Sequence, residues 1–269
     1  MSTKYELKER AEASLYSFFI QSWPIIEGHS KFVDEWFLEV IAEHLELIYY
    51  RKIKNLLINV PPRTGKTSLI SIAFPAWVWI KDPTEKFICA SCTNSLSLDI
   101  ADKSRLLIES PWYQENWGHL FKIRADQNAK SYFANDQTGY RISSSVGSMI
   151  IGKGGSIQLT DDPNVVGGES EVVRDGVLNW WSMKWYNRLN DIPNDRRILV
   201  QQRGDEKDVS GNVIANDINN EWVKLILPLE YESDNKCSTV PLWWTKGKPW
   251  EDPRTKDGEL LTKRLNIDD

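Results

Sequence analysis

A chain of 269 residues, 41% of them hydrophobic and 26% charged, is long enough for one large core, or for a main domain with a small appendage. A net charge of −5 argues against coating of nucleic acid over the whole surface, while leaving room for a local basic patch. No run reaches the ~18–20 apolar residues of a membrane span, and the first ten residues lack the apolar centre of a secretion signal, so the expectation is a cytoplasmic protein without membrane contact.

Residues 4–19 carry a mixed apolar and charged pattern compatible with a helix. Residues 36–50 carry a clearer one, with Phe37, Val40, Ile41, His44, Leu45 and Ile48 on one face. Asn55-Leu56-Leu57-Ile58-Asn59-Val60 then reads as a buried parallel strand. Pro61-Pro62, which cannot donate to a sheet ladder, stops it. A helix is expected from Lys66 to about Ile80.

Residues 86–92 read as a second buried strand. That favours structural roles for Cys89 and Cys92 over a redox motif, which should open a helix, and no second Cys/His pair is spaced to complete a zinc site. Three cysteines form no disulfide framework, in keeping with a reducing compartment. A helix is expected over residues 97–109, ending at Ser110-Pro111. Residues 112–150 are more polar, with short strand-like pieces such as Tyr140-Arg141-Ile142-Ser143.

Gly152-Lys153-Gly154-Gly155 reads as a flexible loop leading into a strand over residues 156–160. Residues 170–190 look helical, and residues 197–202 and 222–229 look like strands. This alternation predicts an α/β fold with a mostly parallel sheet flanked by helices. Composition turns polar and rich in Pro and Lys after about Pro228. The expected division is therefore a main domain over 1–228, opened by a helical segment over 1–50, and a linker or lid over 229–269. The 13 tryptophans are scattered without a repeat and read as packing residues rather than a base-stacking platform.

A polyphosphate needs converging backbone N–H groups, a cation and a metal, and a tight loop entering a helix supplies the first. Pro62-Arg63-Thr64-Gly65-Lys66-Thr67-Ser68 is the candidate loop for ATP. Lys66 is expected on the β- and γ-phosphates and the Thr67 hydroxyl on Mg²⁺. The pattern is only partly met, because the first glycine should fall at Val60 or Pro61.

Leu159-Thr160-Asp161-Asp162 is an apolar strand end carrying two carboxylates. Asp161 fits the metal role and Asp162 the water-positioning role, with Glu169 in the following loop as the rival base. Arg63 could reach a γ-phosphate from within the loop. Gln201 and Gln202, ending a later strand, are candidate γ-phosphate sensors. His44 is read either as a nucleotide contact or as a packed core histidine, in a helix expected to wall the base pocket. Together these features describe a P-loop NTPase of the RecA-like kind.

With these motifs in order, the sequence resembles the ATPase half of a tailed-bacteriophage terminase large subunit, from about Trp36 to Arg264. The resemblance rests on Glu43-His44-Leu45, on the segment from Leu56 to Thr67, on Ile108-Glu109-Ser110-Pro111-Trp112-Tyr113 and on Gly152-Lys153-Gly154-Gly155 with Leu159-Thr160-Asp161-Asp162-Pro163. It also rests on Val200-Gln201-Gln202-Arg203 with Asp208-Val209-Ser210-Gly211, on Asp252-Pro253-Arg254 and on Gly258-Glu259-Leu260-Leu261.

The resemblance implies a motor in the host cytoplasm that drives double-stranded DNA through a portal protein into a procapsid, working with a small terminase subunit. It also implies a homo-oligomeric ring, commonly a pentamer, with a monomer possible in isolation. In such a ring a basic residue of one subunit completes its neighbour's site. Lys153 stands where related sequences often carry Arg, and Arg141 is the other candidate. The nuclease domain that the family carries has no counterpart before Asp269, so no nuclease activity is expected of this chain. The alternatives are a helicase-like P-loop motor and a nucleotide-binding assembly module without significant turnover.

Overall fold

The structure is a computed structural model, described here for residues 3–148, 152–165, 167 and 169–262. Helix α1 (Lys4–Ala13) opens on a capping box in which Thr3 and Glu6 exchange hydrogen bonds. The helix expected over residues 4–19 is in fact two. Ser14 leaves helical geometry and its hydroxyl accepts the Ser17 N–H, which starts α2 (Leu15–Ile26) in a new direction. Helix α3 (Trp36–Tyr49) buries the face read from the sequence.

Strand β1 (Asn55–Asn59) is wholly buried, as a central parallel strand should be. After the Pro61-Pro62 loop the chain enters a π-helical turn (Ser68–Ala73) that runs directly into α4 (Phe74–Lys81). Next come β2 (Lys86–Ser91), α5 (Asn94–Glu109) and α6 (Pro111–Trp117), the two helices capped by the hydroxyls of Thr93 and Ser110.

An antiparallel run follows, β3 (Ile123–Ala129), β4 (Tyr132–Asn135) and β5 (Tyr140–Ser145). Strand β6 (Ile157–Asp161) leads to α7 (Glu171–Asn179), extended by a π-helical turn (Trp180–Trp185). The chain closes with β7 (Arg196–Val200), α8 (Val209–Asn216), β8 (Trp222–Ile226) and a two-stranded hairpin, β9 (Ser238–Pro241) and β10 (Pro249–Glu251).

Among the described residues the main sheet has eight strands in the order β3-β4-β5-β2-β6-β7-β1-β8. From β5 to β8 every pairing is parallel, and only the β3–β4–β5 edge is antiparallel. Alternate strand residues feed two cores. Leu56, Ile58, Phe87, Cys89, Ile198 and Val200 face the layer built from α1 to α5. Leu57, Ile88, Ala90 and Leu199 face Trp180, Trp181, Trp185 and the residues of α7 and α8.

The segment after Pro228 sends Cys237, Leu242, Trp250 and Leu261 into the first of these cores. Trp250 stacks on Trp36 of α3 at 6.2 Å between centroids. Residues 263–269, the end of the expected linker, lie outside the described residues. Among the described residues no helix is long and apolar enough to cross a membrane.

Candidate nucleotide site

Because β1, β6 and β7 are parallel neighbours, their C-terminal ends converge on one edge. That edge carries the Pro62–Ser68 loop after β1, Asp161 and Asp162 at the end of β6, and Gln202 just past β7. Residues 62 to 68, Asp162 and Gln202 line a common cleft of about 250 Å³. The loop holds its shape without the missing first glycine. The Thr64 hydroxyl donates to the Pro61 carbonyl at 2.9 Å, and Gly65 takes a left-handed φ of 81° that suits glycine. Arg63 is also left-handed, with φ at 58°, and its side chain is exposed at the crown.

Pro61 and Pro62 donate no N–H, so the loop's backbone donors begin at Arg63. Trp23 of α2 and Leu38 of α3 pack against the loop: a Cβ on Gly65 would meet them at 3.9 and 4.0 Å. The helix expected to wall the site does stand beside it.

Lys66 is buried, and its ammonium lies 3.0 Å from Asp162 Oδ2 and 3.3 Å from Oδ1. Asp162 Oδ1 also accepts the Gln202 N–H at 2.6 Å. Asp162 is a non-glycine residue at φ 46°, its N–H bonded to the Val200 carbonyl and its carbonyl accepting the Cys92 N–H. A turn of this kind at the end of a buried strand is held by its surroundings and aims the side chain across the cleft.

Asp161 points the other way, into the body of the protein. Its Oδ2 accepts the Ser71 hydroxyl at 2.6 Å, whereas Oδ1 is buried with no protein partner. Burial, and then the adjacent Asp162 charge, push its carboxyl up to about 6, against the opposing pull of Ser71, Lys66 and Thr67. A buried carboxylate oxygen without a partner, beside the Thr67 hydroxyl, is the donor set a small hard cation takes when it keeps most of its waters.

Other expected site residues fall elsewhere. Ser68 lines the cleft, but its hydroxyl is spent on Glu27 Oε1 at 2.6 Å. His44 is fully buried, with Nδ1 on the Val40 carbonyl at 2.7 Å and Nε2 on Thr239 Oγ1 at 2.9 Å, and burial drives it down to about 4. It is therefore a core histidine tying α3 to the C-terminal hairpin, and the reading of it as a nucleotide contact is corrected.

Gln201 and Gln202 part company. Gln202 borders the cleft, while Gln201 is buried, accepting from the Ser210 N–H and hydroxyl and donating to Asn164 Oδ1. Glu169 accepts from Asn164 Nδ2 at 2.9 Å and from the Val165 N–H at 2.7 Å, and it is not among the residues lining the cleft.

Arg141 has the clearest physical reason for standing apart. Pro75 cannot supply the N–H that the Ser71 carbonyl expects one helical turn earlier, and Arg141 Nη1 donates to that carbonyl at 2.7 Å. With 2% of its surface exposed, this guanidinium repairs a helix from inside and cannot reach a neighbouring subunit. Lys153 is exposed, its ammonium 3.5 Å from the centre of the Tyr132 ring. It precedes β6, so it sits at the sheet end opposite to the cleft. The glycines beside it are there for close approach: a Cβ on Gly155 would meet the Lys86 carbonyl at 2.8 Å, and one on Gly154 the Arg188 carbonyl at 2.7 Å.

Asn164 is the residue that sequence reasoning missed. Its partners are Glu169 in its own loop and, distant in the chain, Gln201 just past β7 and Val209 at the start of α8, and no local pattern marks it.

Fold and cleft together define an α/β domain in which a lysine loop and one strand-end carboxylate, Asp162, face each other at the edge of a mostly parallel sheet, with Asp161 buried beside them. No protein-family model matches the sequence, and no curated protein matches it. Among solved structures the chain is similar in fold to the large terminase of HK97 bacteriophage, with a TM-score of 0.52 and 13% identity over 84% of this chain. The match takes in 44% of the terminase chain, so this chain spans less than half of its length.

Proposed function

We propose that this chain is the ATP-hydrolysing domain of a terminase-type motor that moves double-stranded DNA into a procapsid. The observation that carries the reading is the pair of opposed carboxylates: Asp161 with a buried, unpartnered oxygen near Thr67, and Asp162 turned to Lys66. Thr67 and Asp161 would hold Mg²⁺, directly or through water, and the ion supplies neutralisation of the phosphate charge when bound. Lys66 and the N–H groups from Arg63 onward bind the phosphates, and Arg63 adds a cation at the crown. When the phosphates take Lys66, Asp162 is left with a free oxygen facing the cleft. It orients the attacking water there, and Gln202 senses the γ-phosphate.

The fold shared with the HK97 large terminase supports the packaging role. The expected partners are the portal protein, a small terminase subunit and further copies of this chain in a ring, probed by Lys153 from a neighbour.

The test is ATP hydrolysis at high protein concentration with and without duplex DNA. Mg²⁺-dependent turnover, stimulated by DNA and abolished in Lys66→Ala and Asp161→Ala, is the expected result. Turnover that survives both substitutions unchanged overturns the assignment.

A further inference from the structure

Behind the cleft runs a buried chain of amides. Asn59, the last residue of β1, donates from Nδ2 to the Gln201 carbonyl at 2.8 Å and to the Ser210 hydroxyl at 3.0 Å. Gln201 Nε2 donates to Asn164 Oδ1 at 3.1 Å, and the same oxygen accepts the Val209 N–H at 3.2 Å. Asn164 Nδ2 then donates to Glu169 Oε2 at 2.9 Å, and Glu169 Oε1 takes the Val165 N–H at 2.7 Å. Asn59, Asn164, Gln201 and Ser210 are all at least nine-tenths buried, so each broken link leaves a polar atom without water.

The geometry points to Asn164 and Glu169 as a clasp: two positioning residues that close the loop after Asp162 and pin it to β7 and to the start of α8, leaving Asp162 as the group that faces the reacting water. The inference rests on the hydrolytic reading of the cleft and assigns the rival carboxylate. Glu169 has both oxygens committed to its own loop, one to a side-chain amide and one to a backbone N–H. Asp162 has its oxygens committed to Lys66 and to the Gln202 N–H, and only the Lys66 bond is one that a phosphate would displace. Holding residues 164 and 169 together fixes the direction in which the left-handed Asp162 projects.

The clasp can be inverted without being removed. In Glu169→Gln an amide donor faces a donor whichever way it turns. In Asn164→Asp a carboxylate faces a carboxylate. In the double variant Asn164→Asp/Glu169→Gln every bond is restored with donor and acceptor exchanged: Asp at 164 accepts from Gln201, Val209 and the new Gln, whose oxygen keeps the Val165 N–H.

The experiment measures kcat and KM for ATP, together with hydrogen exchange at the Val165 amide, in the wild type, both single variants, the double and Asp162→Asn. Each single variant is expected to lose about tenfold or more in kcat with KM little changed, and the double to recover most of it. Val165 exchange is expected to speed up in the singles and slow again in the double, while Asp162→Asn stays inactive.

A folded double variant as inactive as Glu169→Gln, with Val165 protection restored, overturns the inference, because Glu169 is then the reacting base. Singles that keep full activity and protection overturn it as well. If the wild type shows no Lys66-dependent hydrolysis, the proposed function falls. The clasp itself then stands or falls on whether Val165 protection is lost in the singles and regained in the double.

Discussion

Lys66 and Asp162 are each other's partner, ammonium to carboxylate at 3.0 Å, across the cleft that ATP would occupy. A nucleotide entering here has to part them. Asp162→Asn is therefore expected to bind ATP more tightly, by about fivefold for a pair worth roughly 1 kcal/mol, because Lys66 no longer leaves a counter-charge. Its turnover should fall by ~10²–10⁴, the scale of a lost general base. Lys66→Ala should lose binding and turnover together. Equilibrium titration with a fluorescent ATP analogue, alongside phosphate release, separates the two. Weaker binding in Asp162→Asn speaks against displacement of this pair.

The two adjacent glutamines should give opposite phenotypes. Gln201→Ala strands the partners of a buried amide on Asn164 and Ser210, and is expected to cost about 1–3 kcal/mol of stability, read as the denaturation midpoint in urea. Gln202→Ala removes a side chain at the cleft wall and should leave the midpoint within about 0.5 kcal/mol. Its effect belongs in kcat.

Lys153 and Arg141 can be told apart by mixing. A Lys153→Ala protein should hydrolyse ATP feebly alone and recover when mixed with Lys66→Ala protein, whose intact Lys153 is donated to a neighbour's intact cleft. Arg141→Ala should instead unfold at lower temperature, since it bares the Ser71 carbonyl, and no mixing should restore it. Recovery of Arg141→Ala in mixtures would falsify the structural role assigned to it.

Stability should depend on pH through α3. Burial first, and then the charge of Glu46, push Glu43 up to about 7; burial pushes Glu46 up to about 7 against its bond from the Leu15 N–H. Both carboxyls hold a proton in the fold that the unfolded chain releases near pH 4–5. Their contribution is thus full at pH below that range and is lost as pH rises through about 7. His44, lowered to about 4 by burial, acts in the opposite sense: its contribution is full above pH 6.5 and is lost as pH falls toward 4. Between pH 6.5 and 8 the two glutamates carry the decline, while Asp161, raised to about 6, completes most of its change below that window. Glu43→Gln/Glu46→Gln is expected to melt roughly 2–4 °C higher than wild type at pH 8 and to flatten the decline from pH 6.5. A thermal scan at four pH values checks it.

The parallel half of the sheet was legible because its strands are buried on both faces. Asn55–Asn59 and Ile157–Asp161 consequently read as apolar runs with chemistry at their ends. The antiparallel edge was legible only in part: Tyr140-Arg141-Ile142-Ser143 marked β5, but β3 is mostly exposed, and its Arg-Ala-Asp-Gln-Asn sequence carries no alternation strong enough to announce a strand. Within the site, Lys66, Asp161 and Asp162 could be found from local spacing. The fate of Arg141 could not, since it is fixed by a carbonyl orphaned by Pro75, distant in sequence. Gln201 and Gln202 were visible as a pair, yet which one faces the cleft depends on strand pleat and on Ser210 across the layer.

Lys153 and the cleft lie at opposite ends of one sheet, and this bears on symmetry. A two-fold pair buries the same patch on both partners, whereas a subunit that gives from one end and receives at the other presents two unlike surfaces. Copies joined that way can only repeat head to tail, each turned from the last by a fixed angle. An angle that divides the circle, with no rise along the axis, closes the series, and any other operation continues it as a helical filament.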